Sequence, residues 1–141
     1  MEATLSRPTL AISNKKLWTG RVLTGLAVLF LTFDGVIKLL QSPEVIKGSE
    51  QLGYPISSMV PIGLLLLACV AIYLVPRTAV LGAVLLTGYL GGAIASHVRV
   101  GDPLLTHVLF PTYVAALIWG GLYLRVSRVR RLLAAATAAR A

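Results

Sequence analysis

Four long apolar runs separated by short polar breaks dominate the chain, at residues 17–40, 57–75, 78–98 and 103–124. Each holds about 20 residues, enough to cross a hydrocarbon layer of about 30 Å at 1.5 Å per residue. The breaks carry the punctuation expected between membrane helices. Residues 41–56 contain Ser42-Pro43-Glu44, which reads as N-cap, first helical residue and first-turn acid, and Gly53 and Pro55 close the segment. A short interfacial helix is predicted there, with Val45, Ile46 and Leu52 on the membrane surface and Glu44, Lys47 and Glu50 in water. Pro76-Arg77-Thr78 is a very short turn with Thr78 as N-cap, and Gly101-Asp102-Pro103 is a turn, an N-cap and a helix start. The pattern predicts an all-α fold, an integral membrane four-helix bundle made of two helical hairpins. The bundle occupies 17–124, between a flexible tail at 1–16 and a basic tail at 125–141.

Composition agrees and narrows the class. The chain has 141 residues, 57% of them hydrophobic and 13% charged, with a mean hydropathy of +0.84. Soluble domains carry about 25% charge, so the lipid bilayer is the expected surrounding. Four spans leave no room for a second globular domain. The net charge of +8 would suggest nucleic-acid binding in a soluble protein, but these charges flank apolar runs, so no nucleic-acid partner is expected. Cys69 is the sole cysteine, which excludes an intrachain disulfide and a CxxC redox pair. Lys15 and Lys16 followed by an apolar run resemble a secretory leader, yet the run continues through Asp34 and Lys38 to Leu40, so an uncleaved span is expected.

Orientation follows from the basic residues. Arg7, Lys15, Lys16, Arg21, Arg77, Arg125, Arg128, Arg130, Arg131 and Arg140 fall on the side of the tails, whereas Lys38, Lys47 and Arg99 fall on the other. The positive-inside rule then puts both termini in the cytoplasm. Trp18, Tyr73, Trp119 and Tyr123 mark interfaces, and Arg21 can snorkel to water.

Against this frame the polar residues stand out. Asp34 lies about 20 Å along its helix from Arg21, in the far half of the bilayer, and Lys38 follows one turn later on the same face. An intramembrane carboxylate costs about 2.5 to 3.5 kcal/mol on insertion scales and needs a partner or water. His97 and Arg99 close the third span, and Asp102 and His107 open the fourth, so all six residues gather on the outer side. Gly88, Gly92 and Ser96 form a small-xxx-small stripe, predicted to pack helix against helix within the bundle or across a dimer. Pro111 is expected to kink the last span or end its first segment. A weak internal repeat is visible: Leu23-Thr24-Gly25 precedes Asp34 at the spacing by which Leu86-Thr87-Gly88 precedes His97. If the hairpins repeat about an axis along the membrane normal, Asp34 and His97 sit at equal depth, within direct or one-water hydrogen-bond reach.

The segments TFDGVIKLL, QLGYP, Val75-Pro76-Arg77-Thr78, LTGYLGGAIASHVRVGDP and LFP together resemble the DoxX-like family of small bacterial four-helix membrane proteins, over about residues 20–131. The resemblance implies the four spans. It also implies that Asp34, Lys38, His97, Arg99, Gly101 and Asp102 belong to recurring polar motifs. Some relatives are membrane subunits associated with thiosulfate and quinone oxidoreduction or with redox-stress complexes that include superoxide dismutase, and more distant ones look like receptor-assembly factors.

Two functions are compatible with these residues. One is an accessory subunit of a membrane redox complex, in which a quinone-like ring or other small apolar ligand meets His97, Arg99 or Lys38. Such a site combines an apolar slot with a few convergent donors. Lacking CxxC and flavin motifs, the chain would receive electrons from a membrane or soluble oxidoreductase partner. The other is a non-enzymatic binder, assembly factor or transporter, or a homo-oligomer, with Asp34, Lys38, Arg99 and Asp102 as an ion-pair lock between the hairpins. No catalytic residue is assigned. Haem or metal ligation by His97 and His107 is disfavoured, because two histidines ten residues apart across a turn match no recognised ligand spacing.

Overall fold

The computed structural model describes residues 13–138, and the rest of the two tails lies outside the described residues. Among the described residues the regular structure is all helical, and four helical segments are long and apolar enough to span a membrane. The first is α1 (Asn14–Leu39), and a second short helix is α2 (Pro43–Gln51). A 3-10 turn at Ile56–Ser58 leads into α3 (Met59–Leu74), then α4 (Ala79–Val100) follows. A π-helical turn at Leu104–Val108 precedes α5 (Phe110–Arg125), and α6 (Ser127–Ala138) ends the described chain. Lys15 and Lys16 thus belong to the first turn of α1, not to a tail, and most of the basic C-terminal segment is helical.

Local chemistry explains the boundaries. α1 stops where Gln41 takes a left-handed backbone (φ 48°), and Ser42 N–H reaches back to Ile37 O at 3.3 Å. Ser42 then caps α2 by accepting from Val45 N–H at 3.4 Å, with Pro43 and Glu44 following as expected. Thr78 sits at the N-cap of α4, but its hydroxyl donates backward to Ile72 O at 2.8 Å, satisfying the end of α3. Gly101 (φ 75°) ends α4 in the left-handed region, and Asp102 N–H closes the turn on His97 O at 3.1 Å. Pro111 lacks the N–H a continuous helix would use, so the chain passes through the wider turn and restarts at Phe110.

The spanning helices form a square in which α1 and α4 each pack on both α3 and α5, leaving α1 and α4 on the diagonal. Close approach depends on small residues. A Cβ on Gly82 would lie 2.4 Å from Tyr73 Cα, one on Gly20 2.9 Å from Leu124 Cβ, and one on Gly63 2.9 Å from Gly35 O. The core is Ala27 and Leu31 of α1, Leu66, Val70 and Tyr73 of α3, Ala83, Leu86 and Leu90 of α4, and Ile118 and Leu122 of α5. Val129 of α6 joins it. Outward positions such as Leu29, Phe33, Leu64 and Leu81 are exposed, so the bundle is apolar on both its inner and outer faces, as a helix surrounded by lipid must be. The chain is a multi-pass membrane protein.

One polar network crosses the core near the α3–α4 turn. The fully buried Tyr73 donates from Oη to Ile118 O at 2.9 Å, with Thr24 Oγ1 at 3.4 Å, so one hydroxyl ties together α1, α3 and α5. Interhelical hydrogen bonds in membranes average about 0.6 kcal/mol and reach about 1.7 kcal/mol. Tyr73→Phe is therefore expected to cost on the order of 1 kcal/mol, read as a lowered midpoint of unfolding in detergent.

Candidate functional site

The core fills the half of the bundle near the α3–α4 turn and gives way, at Leu31, Leu90 and Val114, to a cavity of about 510 Å³ under α2. Each wall has a sequence reason. On α1, Leu31, Asp34 and Lys38 fall on one face by helical spacing. α4, on the diagonal, contributes Tyr89, Ala93, Ser96 and His97. Met59 and Ile62 of α3, and Phe110 and Pro111 of α5, make the sides. α2 is the roof: Val45, Gly48, Ser49 and Leu52 recur at helical spacing toward the cavity, while Glu44, Lys47 and Glu50 are exposed. Val45 and Leu52 therefore cover the cavity instead of resting on the membrane surface, because a concave apolar space lies directly beneath them; Ile46 is exposed, as expected.

The polar groups are paired locally. Lys38 Nζ donates to Asp34 Oδ1 at 2.5 Å, and both side chains are largely buried (18% and 26% exposed). His97 Nδ1 lies 2.6 Å from Asp102 Oδ2, an arrangement in which the imidazole donates to the carboxylate. His97 Nε2 has no hydrogen-bond partner among the described residues, and in the neutral ring it presents a lone pair. The His107 ring meets the His97 ring edge to face at 5.7 Å, and His107 Nδ1 is taken by Thr106 Oγ1 at 2.8 Å. Arg99 donates to Leu52 O at the end of α2, and its guanidinium lies 5.7 Å from the Tyr54 ring centroid.

The six expected site residues thus separate into two layers. Asp34, Lys38 and His97 line the cavity; Arg99, Asp102 and His107 stand behind it, holding the roof, the His97 ring and its edge. Asp34 and His97 share the cavity, but no direct hydrogen bond joins them, since each already has a partner on its own stretch of chain. An ion-pair lock between hairpins is not formed among the described residues either: one pair is intrahelical, the other spans the end of α4, and Arg99 binds a carbonyl.

The glycine stripe also behaves differently from expectation. A Cβ on Gly88 or Gly92 would meet nothing within 4 Å, so these residues do not pack helices inside this chain; both line the cavity. Ser96 is buried, donates to Gly92 O at 2.9 Å and pairs with Tyr54 Oη at 2.8 Å, fastening the segment after α2. The close contacts are made by Gly20, Gly35, Gly63, Gly82 and Gly121 instead.

Tyr89 is a further polar residue at the cavity, and its position carries a signal in the sequence. It sits midway along α4, away from the interfaces where membrane tyrosines gather. Its hydroxyl has no hydrogen-bond partner among the described residues, and its ring lines the cavity. Ser49 and Tyr54, on and after α2, likewise line the cavity.

Comparison with known proteins adds the family. The DoxX-like family model matches residues 22–121, which takes in every residue that lines the cavity. The chain belongs to the DoxX-like family. No curated protein and no solved structure matches it. The matched DoxX-like region ends before Arg125 and α6, so the basic terminal helix lies beyond it.

Proposed function

We propose that this DoxX-like protein is a small membrane accessory subunit whose cavity holds the ring of a quinone-like or similar small apolar ligand on behalf of a redox partner in a bacterial inner membrane. The observation that carries this reading is the pairing of cavity size with convergent polarity. About 510 Å³ falls in the range of small-molecule sites, about 300 to 1,000 Å³. Its walls are mostly apolar, while polar groups project from the diagonal helices α1 and α4. A ring with oxygens at its two ends matches that layout. One oxygen would accept from Lys38 Nζ, which has two further protons to offer; the other would accept from Tyr89 Oη or, when it carries a proton, donate to His97 Nε2. Asp102, bonded to His97 Nδ1, fixes which ring nitrogen is presented. The positive-inside count supports placing this end of the bundle outward, with both termini in the cytoplasm.

Titration of the full chain in lipid nanodiscs with a benzoquinone bearing a decyl chain tests the reading. Tyr89→Phe and His97→Ala are each expected to weaken binding about tenfold, equivalent to about 1.4 kcal/mol and to the loss of one hydrogen bond. Unchanged affinity in both variants, or no binding by the unaltered chain, refutes it.

A further inference from the structure

The cavity has four helix seams and a roof, and named contacts bridge all but one of them. Between α1 and α3 the Gly35 and Gly63 backbones meet, since a Cβ on Gly63 would come within 2.9 Å of Gly35 O and 3.0 Å of Lys38 Cβ. Between α1 and α5, Phe30 and Phe110 join edge to face at 5.2 Å. Between α4 and α5, Trp119 Nε1 donates to Thr87 Oγ1 at 2.9 Å, and the His97 and His107 rings touch nearer α2. The roof is fastened at both ends of the segment that follows α2. Arg99 grips Leu52 O, Tyr54 Oη bonds Ser96 Oγ, and Gln41 Nε2 reaches Ile56 O at 3.5 Å.

The α3–α4 seam is different. These helices are pinched together at Gly82 and Tyr73 beside their connecting turn. Toward α2, Gly88 and Gly92 have open space where a side chain would be, and both line the cavity. Leu65 of α3 also lines the cavity while 57% exposed, so one side chain borders both the interior and the outer surface of the bundle. A surface position at this depth in a spanning helix is surrounded by lipid.

We propose that the α3–α4 seam beside Gly88 and Gly92 is a lateral portal joining the cavity to the bilayer, and that the ligand is a membrane-dissolved amphiphile whose chain lies in this seam while α2 shuts out water. The portal deepens the reading of the cavity as a site for a ring-bearing ligand and rests on that reading only for the head group. The chemistry of the seam fits a chain. Two glycines one turn apart present bare backbone without side-chain obstruction, and their amides are already satisfied within α4, so the groove offers an apolar occupant no unmet hydrogen bond. Water, in contrast, would have to pass Val45, Ser49 and Leu52 beneath a roof held by Arg99.

The test uses the full chain in vesicles, with a nitroxide on Ala93→Cys in the cavity wall; Cys69 is buried and left in place. Collisions with oxygen, which dissolves in lipid, and with a water-soluble nickel chelate report the two routes. Oxygen is expected to relax the label strongly and the chelate hardly at all. Gly88→Leu is expected to cut the oxygen effect several-fold, and Arg99→Gln to admit the chelate. A label reached by the chelate with Arg99 intact, or oxygen collisions unaltered by Gly88→Leu, overturns the portal. Co-elution of Gly88→Leu with the parent on size exclusion confirms that it folds, and should it not, Gly92→Leu replaces it. Decyl- and methyl-substituted benzoquinones then test the chain: Gly88→Leu is expected to weaken the decyl compound about tenfold and spare the methyl one. Equal effects on both overturn the chain assignment. If neither compound binds the parent, the head-group reading fails while the collision data still decide the portal.

Discussion

Gly82→Leu is expected to destroy the bundle, whereas Gly88→Ala and Gly92→Ala are expected to leave it intact or slightly firmer. A Cβ on Gly82 would be 2.4 Å from both Tyr73 Cα and Tyr73 N, and backbone atoms of a packed helix cannot step aside as a flexible side-chain end can. The cost is on the order of 3 kcal/mol or more, the upper range for overpacking, and comparable to much of a small protein's stability. At Gly88 and Gly92 the added methyl meets nothing within 4 Å, and replacing glycine by alanine within a helix gains about 0.5 to 1 kcal/mol from reduced backbone entropy. Unfolding midpoints in detergent, measured side by side, check the contrast. Equal damage at Gly82 and Gly88 would show that the stripe packs after all, through a second copy of the chain.

The second large effect concerns the α1 ion pair. Asp34→Leu alone strands Lys38, and Lys38→Met alone strands Asp34, in surroundings where each side chain is largely screened from water. Removing one member of a buried pair costs about 3 to 5 kcal/mol, less here because the groups keep 18% and 26% of their exposure. The double variant Asp34→Leu/Lys38→Met removes both charges and is expected to recover most of the lost stability, because a paired charge replaced by apolar side chains is often neutral or favourable. Its ligand affinity is expected to stay lost. Recovery of folding with loss of binding separates a site from a structural device, and a double variant as unstable as either single one would assign the pair to structure.

Much of the fold is legible from residue pattern, because the rules involved are local. Span lengths, the Ser42-Pro43 helix start, the Gly101 stop and the restart at Pro111 all depend on a residue and its immediate neighbours. The α6 helix departs from the expected tail because Arg, Leu and Ala in 127–138 are strong helix formers. Spacing identifies a smooth helix face but not the direction in which it is turned. Gly88 and Gly92 satisfy the packing motif yet border a space, while Gly20 and Gly121, on different helices, make the close contact.

A place beside the cavity was legible for Asp34, Lys38 and His97, but their hydrogen-bond partners were not all so. Asp34, Lys38 and His97 reach the cavity because the square arrangement brings one end of α1 and of α4 to a common level. Sequence could not show that Asp102 would turn back to His97 and not cap the next helix. That choice depends on Gly101 reversing the chain so that the two side chains meet at 2.6 Å. Nor could it place α2 over the cavity, since the same amphipathic pattern suits a lipid surface.

The local character of the charge pairs bears on how the protein is made. Asp34 finds Lys38 one turn along the same helix, and His97 finds Asp102 just past the end of its own. Neither acid has to await another hairpin for its polar partner, so both leave the insertion machinery already hydrogen-bonded. The hairpins can then enter the bilayer separately and meet there through close packing, neutral hydrogen bonds such as that of Tyr73, and the hold of Arg99 on Leu52 O.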